Sequence, residues 1–176
     1  MRRSQYTFEA FIYAWISFNG WASCCCDNDR DRVLIEVLRI DERVSAEFNS
    51  LVLSNLTVAA AVEQFRVLWP IFRATDVRAG LDAAMREYRD SGRAGLVAYY
   101  SHRFPRAGRS PDCHLRHDPG PIEADWAHTL EALYRVRCNL FHGTKSVDGH
   151  VDREVVDAAS AVLVPVVKHL VWHQFT

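Results

Sequence analysis

The chain has 176 residues, a length that suits one domain around a single core and needs no disulfide or metal staple. Hydrophobic residues make up 49% and charged residues 24%, which excludes an intrinsically disordered chain, a collagen-like repeat and a mucin-like stalk. A formal net charge of −1 excludes a polycation that coats nucleic acid by charge alone, so any nucleic-acid contact must be local.

Nineteen of the twenty-one basic residues are arginine, the better side chain for bidentate phosphate contacts. A codon bias accounts for the total, but not for seven arginines against Glu87, Asp90 and Asp112 between Arg86 and His117. No uninterrupted apolar run approaches the ~18 to 20 residues that cross a bilayer, so no membrane association is expected. Five cysteines, three of them consecutive at Cys24, Cys25 and Cys26, make a poor disulfide framework, and the cytoplasm is the expected location.

The aromatic run near the N-terminus fits an amphipathic helix better than a secretory leader. Phe8, Phe11, Ile12, Trp15 and Phe18 recur at steps of three and four, predicting a first helix over about 7–21 with Asn19 inside its apolar stripe. Asp27, Asn28 and Asp29 offer N-caps for a long amphipathic stretch through Val33, Val37, Leu38, Val44 and Phe48 to Leu53. Thr57 can cap a third helix carrying Val58, Val62, Phe65 and Leu68, which must stop before Pro70.

From Pro70 to Pro121 the pattern weakens into an irregular, Arg-rich insertion, with short helical signals around Leu81–Tyr88 and Leu96–Tyr100. Helical order returns from Ile122 through Trp126, Leu130, Leu133, Tyr134, Leu140 and Phe141, with Gly143 as its stop. A last helix runs from about Asp152 to Val171, kinked at Pro165. The expected fold is a single all-α domain over 1–176, a bundle of four to five main helices.

Arg137 is the unusual position. At about 100° per residue, Trp126, Leu130, Leu133 and Phe141 lie within about 40° of it, so its guanidinium leaves the backbone amid an apolar stripe. It either pairs with a carboxylate from another helix, or snorkels out, or faces a crevice or second subunit and serves an anionic ligand. His142 follows near the helix end, where a lone histidine is ordinarily a capping cation. Cys113-His114-x-x-His117 has the residue types of a zinc site, and would make a metal-dependent hydrolase, but its spacing matches no paired-ligand pattern. A solvated histidine-rich loop is the simpler reading.

The run Arg137-Cys138-Asn139-Leu140-Phe141-His142-Gly143 closely resembles the signature of the HEPN family (higher eukaryotes and prokaryotes nucleotide-binding), an Arg four to six residues before a His near a helix end. The aromatic first helix with Trp15-x-x-Phe18-Asn19 is similar to one bacterial subgroup. Family members often carry Asn, Asp or His directly after the Arg, where this chain has Cys138.

The resemblance implies a HEPN-like bundle and a metal-independent, cofactor-free endoribonuclease of toxin or antiviral-defence type, held in check by an inhibitory antitoxin protein. Arg137 and His142 are then the catalytic residues, and Asn139 and Lys145 orient the site or hold a neighbouring phosphate of the RNA. The residues suit that chemistry: His142 can be base or acid, and Arg137 can hold the non-bridging oxygens as charge develops. One chain supplies only one such histidine, so a two-fold homodimer with a composite site is expected. Arg103, Arg106, Arg109 and Arg116 would extend the backbone groove, and Asn19 would hydrogen-bond the motif helix from within. The alternative is a non-catalytic HEPN-like dimerisation, interaction or nucleotide-binding module.

Overall fold

A computed structural model describes residues 3–68, 86, 89–92, 95, 124–141 and 150–172. Among them are six helices and no strand: α1 (Arg3–Cys26), α2 (Asp31–Leu38), α3 (Glu42–Ser54), α4 (Leu56–Val67), α5 (Trp126–Phe141) and α6 (His150–Trp172). Positions 86, 89–92 and 95 are also helical. The rest of the Arg-rich insertion lies outside the described residues, and with it the Cys113-His114-x-x-His117 group. The all-α expectation therefore holds, with more helices than the four or five expected.

Local chemistry sets the helix boundaries. Helix α1 starts before and ends beyond its expected span, stopping where Asp27 takes a positive φ of 49°, a left-handed turn that Asp tolerates better than most side chains. The stretch read as one long helix from Val33 to Leu53 is two. Helix α2 closes at Leu38, the chain turns, and Asp41 opens α3 by accepting from the backbone N–H groups of Arg43 (2.9 Å) and Val44 (3.2 Å). That break resets the helical phase, so Leu34, Ile35, Leu38, Val44, Phe48 and Leu51 are buried while Val37 and Leu53 are exposed. Asp41, a capable N-cap in mid-stretch, was the overlooked signal.

Helix α4 is capped by Asn55 and not by Thr57, whose N–H instead donates to the Asn55 side chain. Helix α5 begins at Trp126, four residues later than expected, with Asp125 accepting from the His128 N–H at 2.8 Å. Pro165 sits inside α6, which continues to Trp172.

The long helices α1 and α6 pack against each other, and α4 and α3 cover α6. Helix α5 lies against α2, α3 and α6 and is buried on most sides. Phe11, Trp15, Phe18, Trp21, Phe48, Phe65 and Trp126 form the aromatic part of the core, each such buried side chain contributing roughly 2 kcal/mol or more. The Trp126 indole N–H donates to the Leu38 carbonyl at 2.7 Å, and its ring packs on Phe48. This ties the start of α5 to the end of α2. No described helix is long and apolar enough to cross a membrane.

Candidate functional site

Helices α2 and α5 run antiparallel, since Leu38 meets Trp126 at one end and Asp31 meets Arg137 at the other. Two ion pairs join them. An Arg137 terminal guanidinium nitrogen lies 2.5 Å from Asp31 Oδ2. Beside it, an Arg32 terminal nitrogen donates to both Glu131 oxygens at 2.8 and 3.1 Å, and its Nε donates to Glu36. The adjacent Asp31 and Arg32 thus face opposite charges two turns apart on α5.

The pairs differ in environment. Glu131 is 0% exposed, a position an ionised carboxylate tolerates only with close partners. Burial works against the Arg32 cation, yet the hydrogen bonds and charge of Glu131 and Glu36 outweigh it and hold its pKa above the ordinary arginine value. Asp31 and Arg137 are 19% and 25% exposed, although Asp31 Oδ2 and Arg137 Nε are themselves buried. Asp31 stands in the first turn of α2, where the helix dipole favours a negative charge. Its second oxygen accepts from the Asn19 side-chain amide at 2.7 Å. Asn19 therefore reaches α5 only through Asp31, correcting the expectation of a direct bond to the motif helix.

Tyr134 lies between the two pairs. Its ring packs on Trp15, and the Arg32 guanidinium carbon sits 5.8 Å from the ring centre. Burial, then a hydrogen bond and the charge of Cys138, push its hydroxyl up to about 12, against the opposing pull of Arg32 and Arg137. Cys138 thus has a polar partner on its own helix.

Of the candidate site residues that are described, Arg137 is partly exposed and Asn139 is buried. The stripe around it is buried at Trp126, Leu130 and Leu133, but Phe141 is 52% exposed. The end of α5 emerges from the bundle there, and the Arg137 guanidinium carbon lies 4.9 Å from the Phe141 ring centre. Its Nε finds no hydrogen-bond acceptor among the described residues. Asn139 is 2% exposed, so of its two expected roles burial favours orienting the helix over touching a phosphate. His142 and Lys145 lie outside the described residues, as do Arg103, Arg106, Arg109 and Arg116.

Sequence reasoning missed Asp31, Arg32 and Glu131. The available signal was Glu131 beside Leu130 in a helix buried on most sides, since a carboxylate there requires a cation from elsewhere. No group of three or more His, Cys, Asp or Glu among the described residues is placed to hold a metal ion. Cys24 and Cys25 are exposed and outside any disulfide, and burial with the neighbouring Cys25 pushes the Cys26 thiol up. Compared with known proteins, the chain matches no family model, no curated protein and no solved structure.

Proposed function

We propose that this chain is a HEPN-like, metal-independent endoribonuclease of toxin or antiviral-defence type that acts as a homodimer in the cytoplasm under the restraint of an inhibitory protein. The observation that carries the reading is Arg137: a partly exposed arginine near the end of an amphipathic helix, contacted by one carboxylate and with a buried Nε that has no acceptor among the described residues. His142 follows it in the Arg-x-x-x-x-His spacing of the resemblance.

In this mechanism a His142 side chain removes the proton of a ribose 2′-hydroxyl as that oxygen forms a bond to the adjacent phosphorus. The bond from phosphorus to the 5′-oxygen breaks, and a second, protonated histidine from the partner subunit gives its proton to the leaving oxygen. Arg137 stabilises the added charge on the non-bridging oxygens, which grows toward the transition state. The products are a 2′,3′-cyclic phosphate and a free 5′-hydroxyl.

A second reading is favoured by the two ion pairs themselves. If Arg137 serves only to join α5 to α2, the chain is a HEPN-like interaction module without catalysis. Induced expression in a bacterial host separates the two. The ribonuclease reading predicts growth arrest by the wild type and normal growth with His142→Ala at equal protein level. Normal growth with both would favour the interaction module.

A further inference from the structure

We infer that the Asp31–Arg137 pair is an exchangeable latch, in which Asp31 occupies the phosphate position on Arg137 until an RNA phosphodiester displaces it. This inference rests on the ribonuclease reading of Arg137 and concerns the regulation of that same site.

Three features support the exchange. First, the contact uses one guanidinium nitrogen while the buried Nε has no acceptor among the described residues, leaving the two-pronged donor edge half used. A phosphate, with oxygens arranged for bidentate binding, fills that edge better than the carboxylate does in this geometry. Second, both side chains are partly exposed, at 19% and 25%, against 0% for Glu131; Asp31 Oδ2 and Arg137 Nε are covered, so an incoming anion competes by swinging these two side chains apart and not by unfolding the bundle. Third, Asp31 keeps support after Arg137 leaves, because the Asn19 amide and the first turn of α2 still stabilise its charge.

The neighbouring pair shows what a permanent contact looks like in the same pair of helices. Glu131 is wholly buried, both of its oxygens lie within 3.1 Å of one Arg32 nitrogen, and Arg32 also holds Glu36. That pair keeps α2 on α5 while the outer pair opens. The latch would leave the free protein with Arg137 neutralised, so weak anions bind poorly and a polyanion that also uses other cations binds best.

The test is the affinity of the full chain for a fully 2′-O-methylated oligoribonucleotide, which cannot be cleaved through its own 2′-hydroxyl, measured by fluorescence anisotropy at fixed salt. Asp31→Asn keeps the size of the side chain and removes its charge. It is expected to bind about fivefold tighter than wild type, the scale of a partly exposed ion pair. The gain should vanish in Asp31→Asn combined with Arg137→Ala. Asp31→Ser, unable to reproduce the amide's contacts, should show the same direction, and circular dichroism should find each variant folded. If Arg137→Ala weakens wild-type binding but folded Asp31→Asn and Asp31→Ser bind no tighter, the latch is wrong and the ribonuclease reading stands. If Arg137→Ala leaves wild-type binding unchanged, both the latch and the role given to Arg137 are overturned.

Discussion

Arg32 and Arg137 meet carboxylates on the same two helices, yet removing each pair has a different consequence. Arg32→Leu takes the cation that holds both oxygens of a carboxylate that is 0% exposed, and should cost about 3 kcal/mol, read as a lower thermal midpoint. Asp31→Asn breaks a partly exposed pair, with side chains 19% and 25% exposed, and should cost no more than about 1 kcal/mol. Equal losses in the two variants would contradict the distinction between a fixed and an exchangeable pair. At this scale Arg137 was legible as a costly arginine in an apolar stripe, including its option of pairing with another helix. Which carboxylate it meets was not, because Asp31 sits more than a hundred positions away and joins it only through the antiparallel packing of α2 on α5.

At the scale of elements, side-chain caps decide where helices begin. Burial opposes ionisation of Asp41, but the Val44 and Arg43 N–H groups and the Arg43 guanidinium outweigh it, so its carboxyl lies below the usual value. A carboxylate lowered in the folded state contributes stability that is present above its unfolded value and is lost as pH falls through the folded value. Asp41→Ala should therefore cost about 1 kcal/mol at neutral pH, with the gap to wild type closing below about pH 4. Urea unfolding at a series of pH values measures it, and a constant gap down to pH 2 would contradict the assignment. Asn55→Ala at the start of α4 should cost about 1 kcal/mol with no such acid dependence. The aromatic spacing of α1 and the apolar face of α6 were readable because their periods are unbroken. The α2–α3 boundary was not, since a turn of three residues leaves a continuous apolar pattern while shifting its phase.

For the whole molecule, the all-α architecture follows from uniform helical periodicity, and the position of Arg137 near the end of a core helix follows from the same pattern. The proposed composite site would be a property of two chains, and no periodicity within one chain encodes how a second copy sits. Light scattering at micromolar concentration is expected to give twice the 20.1 kDa chain mass, and a monomer would remove the shared site. The most direct measurement is cleavage of end-labelled total tRNA and mRNA by the wild type, His142→Ala and Arg137→Ala, with EDTA present and the product ends identified. The account predicts 2′,3′-cyclic phosphate ends from the wild type and none from either folded variant. Cleavage that persists in His142→Ala, or that EDTA abolishes, would contradict it.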